Sequence, residues 1–306
     1  MTVVPAKLRR SGSGRFNPAS ARDPRPQVYR RFRGPGPLTY VVLALIAVLS
    51  IFPLYWSFVV ASHDNSAASS YPPVMTPGSQ LWHNISRLFN SGEVNVDFWK
   101  ALINSFIVAG TVTVAVVFFS ALAGFAFAKL SFRGSSALLI VIVITMMVPV
   151  QLGVIPLYIE MIRFHWLNSL RAVIAPNLVT AFGVFLMRQY IVQSVPNELI
   201  DSARVDGCST WRIFWHVILP AVRPVAAVLG LLTFTMTWND FFWPLIVLSS
   251  QNPTVQVAVS TLASGYVQDY ALVLTGTFIS ILPLLVLFLL LGKQIIGGIM
   301  QGAVKG

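Results

Sequence analysis

Charge is scarce in this chain and cysteine almost missing. Its single cysteine, Cys208, excludes a disulfide framework and a cysteine-rich metal site. Beside Gly207 it reads as a small buried residue. The four histidines, His63, His83, His165 and His216, have neither the H-E-x-x-H spacing nor any other pairing that suits zinc, so no metal is expected. No G-x-x-x-x-G-K-[ST] stretch occurs, which removes nucleotide hydrolysis through a P-loop of the chain's own. There are no paired carboxylates on one face and no nucleophile elbow, so no catalytic residues are expected. No internal repeat is visible.

What fills the chain is apolar. Charged residues are 10% of the 306 and hydrophobic ones 56%, with a mean hydropathy of +0.73; a soluble domain carries about 25% charged residues. This is the composition of a polytopic membrane protein. Six apolar segments, at residues 38–60, 102–128, 137–158, 172–190, 224–247 and 271–292, each approach the roughly 20 residues a bilayer requires. Pro149 and Pro156 interrupt the third and Pro283 the sixth, and kinks are expected there.

The net charge of +11 is not spread as a nucleic-acid surface would be. Nine basic residues stand against Asp23 in residues 1–37, a Pro-, Gly- and Ser-rich tail expected to be disordered and cytoplasmic. Two roles stand for it: setting topology, or touching anionic membrane lipid. Threading the six segments from that tail puts 17 of the 21 Lys and Arg on the cytoplasmic side, as the positive-inside rule demands. The expected fold is therefore an all-α integral membrane protein with six transmembrane helices and both termini cytoplasmic. Residues 38–306 make one six-span domain. The long outer connection, about residues 61–100, is either a linker or a surface for an external partner.

The longest polar stretch between two apolar segments in the second half is SVPNELIDSARVDGCSTWRIFWHVILPAVRP, residues 194–224, with the loop proper at about 191–223. Pro196-Asn197 is a helix-start signal, with Asn197 a candidate cap and Glu198 and Asp201 in the positive first turn. Gly207 offers a left-handed stop, and Ser209 or Thr210 starts a second helix carrying Trp211, Phe214 and Trp215. Pro220 and Pro224 break the chain before the next span. Two short helices at an angle are expected, one polar and one apolar. They are either an ordinary loop or a docking unit with aromatic anchors and a polar rim of Glu198, Asp201 and Arg204.

The fifth segment carries Thr233-Phe-Thr-Met-Thr-Trp-Asn-Asp240-Phe-Phe-Trp-Pro244. Asp240 sits about 24 Å from the cytoplasmic end, at 1.5 Å per residue. An acid inside a span costs about 2.5–3.5 kcal/mol on insertion scales, so it should face an aqueous cavity or a partner helix. Thr233, Met236, Thr237 and Asp240 fall on one helical stripe, and Pro244 should bend the helix near Asp240. A carboxylate, an amide at Asn239 and the rings of Trp238, Phe242 and Trp243 suit a sugar. The same polar groups equally suit bonding to a neighbouring helix.

Asp201-Ser202-Ala203, Gly207, Val217 and Leu219-Pro220 stand at the offsets E-A-A-x3-G-x9-I-x-L-P of the EAA loop in binding-protein-dependent ABC importer permeases. Asp, Ser and Val replace Glu, Ala and Ile. Residues 238–245, W-N-D-F-F-W-P-L, resemble the W-N-[DE]-F-x-x-P-L segment of the carbohydrate-uptake branch, and residues 302–306 resemble its G-A-V-K-G ending. Across nearly all of residues 38–306 the chain is similar to MalG-type permease subunits. The resemblance implies pairing with a second, MalF-like permease. It also implies docking of each permease's EAA loop in one of two cytoplasmic ABC ATPase subunits, which hydrolyse the ATP, and delivery of sugar by an extracytoplasmic solute-binding protein. Polyols and glycerol-phosphate-type solutes use similar permeases. An ion-driven secondary transporter would need several intramembrane ionisable groups, and Asp240 is nearly alone; a membrane enzyme would need interfacial acidic or His clusters, which do not occur.

Overall fold

A computed structural model of the chain describes residues 36–90, 96–264 and 269–303. The basic tail and the last three residues of the G-A-V-K-G ending lie outside the described residues. In chain order the helices are α1 Pro37–Ala61, α2 Leu81–Phe89, α3 Phe98–Lys129, α4 Ser135–Thr145, α5 Val154–Arg163, α6 Leu170–Ile174 and α7 Ala181–Ser194. They continue as α8 Asn197–Val205, α9 Thr210–Ile213, α10 Leu219–Ala221, α11 Arg223–Trp238, α12 Phe242–Val247, α13 Val255–Ala263 and α14 Tyr270–Ala303. No strand occurs among the described residues. In lipid a helix satisfies its backbone polar groups internally, which is why a chain this apolar takes only that form. The described residues fall into two units, one ending at Ser50 and one beginning at Ile51, which holds most of the helices.

Among the described residues, four helical stretches are long and apolar enough to cross a membrane: Pro37–Ala61, Phe98–Lys129, Leu170–Ser194 and Tyr270–Leu290. Two further pairs reach that length only together, one bent by 93° between Thr145 and Val150 and one by 76° at Val222. The third apolar segment is thus two helices joined at a sharp break rather than one kinked helix. Pro149 takes an extended conformation, ψ 125°, and its ring disfavours helix at the residue before it, so α4 unravels as a chain of turns. Pro156 lies in the first turn of α5, where its missing N–H breaks nothing. Pro283 lies inside α14 without dividing it.

α3 is the hub of residues 51–303, packed along α7 and α11. Its contact with α7 is a close approach of backbones: a Cβ on Gly124 would stand 2.7 Å from the Met187 Cβ and 2.8 Å from the Arg188 nitrogen. Only glycine fits there. One buried cluster joins Val112, Val116, Phe125, Met187, Ile191, Phe214, Ile218 and Leu229, and a second gathers Leu88, Phe98, Phe234, Trp238 and Leu272.

The outer connection is more than a linker. Asn84 on α2 is buried and donates to the carbonyls of Ala61 at 2.9 Å and His63 at 2.7 Å. Arg87 pairs with Asp269 ahead of α14 at 2.8 Å, and the Tyr270 N–H donates to Asn65 Oδ1 at 2.7 Å. These bonds tie α2 to the end of α1 and the start of α14, leaving Tyr71 and Trp82 exposed.

Candidate functional site

The polar loop folds as two helices meeting at Gly207. Gly207 has φ +76°, its N–H donates to the Arg204 carbonyl at 3.0 Å, and the Cys208 N–H reaches back to Ala203 at 2.9 Å. This is a left-handed helix stop that satisfies the last free carbonyls of α8. Ser209 then caps α9, accepting from the Arg212 N–H at 3.3 Å. The other expected cap is different: Pro196 holds the cap position with no side-chain bond. Asn197 is already helical, and its Oδ1 accepts from Lys129 Nζ at 2.7 Å.

On α8 only Ile200 is buried, with Ala203 packed partly against the core. Glu198, Asp201, Ser202 and Arg204 are exposed, and the Asp201–Arg204 contact is a loose 3.8 Å, of little worth at an exposed position. Leu199 and Val205 are exposed as well, Val205 to 88%. Reading α8 as a polar helix passed over these two. Their signal was available, since apolar residues standing outside the period of Ile200 and Ala203 must point away from the core.

The second helix does not run evenly. α9 opens into a wide π turn over Phe214–Ile218 before α10, with the Leu219 N–H bonded to the Phe214 carbonyl. Pro220 has no N–H to donate, so the ladder lengthens by one residue just ahead of it. Of the three expected exposed anchors, Trp211 and Trp215 are 53% and 42% exposed. Phe214 is fully buried, which overturns its expected place on the surface. Two residues of a strongly apolar helix can share its aromatic run and still face opposite ways. Phe214 stacks on Trp211 with centroids 5.6 Å apart and lies 6.1 Å from both Phe118 and Phe125 of α3. It therefore joins the exposed tryptophans to the central span. Leu219 is half-buried and Pro220 exposed.

The fifth segment is also broken. α11 ends at Trp238, α12 starts at Phe242, and Pro244 falls in the first turn of α12. The interruption thus spans residues 239–241, with the main-chain N–H groups of Phe242 and Trp243 turned towards the Asp240 carboxylate. Asn239 is exposed and Asp240 half-buried. The Asn239 amide donates to the Thr235 carbonyl at 2.9 Å and accepts from Gln256 Nε2 on α13 at 3.3 Å. Thr237 is half-buried, Met236 is 75% exposed, and Thr233 is turned into the core. The expected helical stripe therefore does not form: Thr233 turns inward, and Asp240 lies past the end of α11, where the helix has already stopped.

Of the three rings expected to suit a sugar, only Phe242 is exposed. Trp243 is buried and donates to the Ala172 carbonyl at 2.9 Å, while Trp238 is buried and donates to the Ser280 carbonyl at 3.0 Å. Both indoles bind span to span, a role that a local sequence window does not encode. Exchange of Trp243 for Phe should lower stability by about 1–3 kcal/mol through the unpaired carbonyl, and leave uptake by assembled protein within twofold. Thermal unfolding and transport assays on the same preparation check both halves.

Three asparagines fix the chain after the break. Asn104 donates to Asn252 Oδ1 at 3.0 Å and to the Pro253 carbonyl at 2.9 Å; Asn252 donates to the Asn168 carbonyl at 3.0 Å. Asn168 Oδ1 accepts from the Ser249 hydroxyl at 2.9 Å. Asn168 takes φ +58°, a conformation asparagine tolerates better than most residues. Asn168, Asn252 and Gln256 were not singled out by sequence, because their partners lie far along the chain.

The comparisons with known proteins follow this geometry. The family described as "Binding-protein-dependent transport system inner membrane component" matches residues 117–293. The lactose transport system permease protein LacG of Rhizobium radiobacter is 36% identical over 90% of this chain and 98% of its own length. The arabinooligosaccharides transport system permease protein AraQ of Bacillus subtilis is 32% identical over 88% and 94%. The sn-glycerol-3-phosphate transport system permease protein UgpE of Yersinia pestis is 30% identical over 88% and 97%. Among solved structures, a chain of a bacterial ABC transporter involved in the import of the acidic polysaccharide alginate superposes with a TM-score of 0.71. That chain is 21% identical, with 84% of this chain and 94% of the other covered, and so shares the fold. The chain belongs to the inner membrane components of binding-protein-dependent transport systems, and is a permease subunit rather than an enzyme.

Proposed function

We propose that this permease forms half of the translocation pathway of a bacterial carbohydrate importer, for a di- or oligosaccharide, in the plasma membrane. The observation that carries the reading is the join at Phe214. Exposed tryptophans on a two-helix loop are packed through one buried ring onto α3, and the second helix meets α11 at the 76° bend about Val222, with Asn239 and Asp240 just past the far end of α11. Displacement of the loop would thus reach both the core and the polar break as a rigid-body motion.

In this reading each bent pair is one span, giving six, with both termini and residues 191–223 in the cytoplasm, a topology that the charge bias supports. Glu198, Asp201, Ser202, Ala203, Arg204, Gly207, Trp211 and Trp215 form the coupling surface on a cytoplasmic ABC ATPase, with Leu219 and Pro220 behind it. The chain binds no cofactor of its own, and ATP is hydrolysed by two such partner subunits. A second, MalF-like permease covers the exposed side of residues 236–242. An extracytoplasmic solute-binding protein delivers the solute. Asn239 and Asp240 are supported as pathway residues by their exposure at membrane depth, since polar groups there face water or a partner rather than lipid. Thr237 joins them, while Thr233 and Trp243 support the site from behind.

The substrate preference rests on two relatives named for sugars and on the chemistry of the break, where an acid and two amides offer hydrogen bonds to hydroxyls. The relative named for sn-glycerol 3-phosphate favours a second reading, but no basic side chain accompanies Asn239, Asp240 and Gln256. The test is uptake by cells with and without this chain of labelled lactose, maltose, arabino-oligosaccharides and sn-glycerol 3-phosphate. Loss of uptake of one of the sugars is expected; sugar uptake unchanged throughout overturns the carbohydrate reading. In the same cells Asp240→Ala should reduce uptake at least tenfold while complex yield stays parental. Failure to assemble would instead assign Asp240 to helix packing.

A further inference from the structure

The coupling loop is fastened to α3 at one more place, one helical turn beyond Phe125. Lys129, the last residue of α3, donates through Nζ to the Val195 carbonyl at 2.6 Å and to Asn197 Oδ1 at 2.7 Å. These acceptors flank Pro196, where α7 has ended and α8 has not begun. Pro196 offers no N–H and no side-chain oxygen, and α8 has no side-chain cap of its own. The entrance to α8 is therefore shaped by a lysine from another span.

The position suits a cation. The ammonium stands at the C-terminal ends of α3 and α7, where the carbonyls left over by each helix concentrate negative partial charge. Both acceptors are neutral, so the contact is a pair of charge-assisted hydrogen bonds rather than an ion pair. Beside it opens a cleft of about 350 Å³ bounded by Lys129, Ser131, Asn197, Asp201 and Arg204. The exposed part of α8 is thus not seated flush on the end of α3, and the Lys129 bridge crosses to its start. Otherwise α8 meets the core through Ile200 and Ala203.

We propose that Lys129 is a positioning residue that clamps the start of the coupling helix to the central span, so that displacement of α8 is delivered to α3 instead of being lost in the Val195–Asn197 connection. The inference rests on the reading that this loop receives motion from an ATPase. Without the clamp α8 still folds and still offers its outward face, but its first turn gives way before α3 moves. Lys129→Met keeps the length and the apolar stem and removes the donors; Lys129→Arg keeps a cation that can reach the same carbonyl.

The experiment uses the complete importer with both permeases, its ATPases and its binding protein, reconstituted in vesicles and supplied with the panel solute that gives the highest parental uptake. Solute taken up per ATP hydrolysed is measured. Lys129→Met should assemble at parental yield, hydrolyse ATP within twofold of the parent, and lose at least tenfold in solute per ATP. Lys129→Arg should stay within threefold of the parent. Should the Met variant fail to assemble, Asn197→Ala, which removes one acceptor and spares the Val195 bond, is expected to lose about threefold in the same ratio. A parental ratio in Lys129→Met, or in Asn197→Ala where that variant stands in, overturns the clamp. Gly207→Pro is run in parallel. If it too keeps the parental ratio, the coupling role of the whole loop fails; if it alone uncouples, only the clamp does.

Discussion

Replacing Gly207 with proline should leave a protein that inserts and assembles but transports at less than a tenth of the parental rate, with ATP still hydrolysed. The backbone at Gly207 has φ +76°, whereas proline is held near −65°. The substitution also deletes the N–H that bonds the Arg204 carbonyl. Nothing lies within 4 Å of a Cβ built at this position, so sterics at the side chain do not confuse the result. Alanine is the control: it keeps the N–H and meets only the left-handed backbone penalty of about 1–2 kcal/mol, so most of the activity should survive. The effect of proline is an altered angle between α8 and α9, which misdirects the exposed face carrying Asp201 and Ser202 relative to Trp211 and Trp215. Paired assays of ATP hydrolysis and uptake check it. Normal transport by the proline variant would remove the loop from the mechanism.

The second large effect is expected at Phe214. Truncation to alanine removes a fully buried ring that touches Trp211, Trp215, Phe118 and Phe125. Burial of this kind is worth about 3–5 kcal/mol when a phenylalanine is cut to alanine. The loss falls at a joint, so stability and transport should fall together, unlike Gly207→Pro. Phe214→Leu, which refills much of the space, should restore assembly while leaving transport several-fold down, because leucine cannot stack on Trp211. Thermal unfolding of the purified complex measures the first quantity and vesicle uptake the second. If Phe214→Leu transports at the parental rate, the ring is only filler and the path through α3 is not the route.

Much of this was legible in the sequence, and the rest was not for definite reasons. Gly207, Leu219 and Pro220 at fixed offsets gave away the two-helix loop, since glycine and proline act on the backbone locally. Trp211, Phe214 and Trp215 looked alike because an aromatic run does not say which face meets α3; only the placement of Phe118 and Phe125 decides that Phe214 turns inward. Pro149 announced a break in the third segment but not its 93° angle, which depends on where α5 can pack. Trp238 and Trp243 resembled a binding platform because their partners, the carbonyls of Ser280 and Ala172, are distant along the chain. Lys129 was visible only as a topogenic charge, and its acceptors 66 and 68 residues away appear once α3 and α7 lie side by side.

The glycine contact between α3 and α7 has a mechanical corollary. A Cβ at Gly124 would lie only 2.7 Å from the Met187 Cβ, so these two helices are packed backbone to backbone with no side chain between them at this point. α11 is held otherwise: a Cβ on Gly230 would meet the methyls of Thr113 and Val117 only at an ordinary 3.6 Å. An open apolar groove of about 380 Å³ runs there, lined by Val117, Ala226, Ala227, Gly230 and Leu287. α3 and α7 would therefore move as one body, so that a push received by α3 carries α7 with it, while the groove leaves α11 room to shift against them.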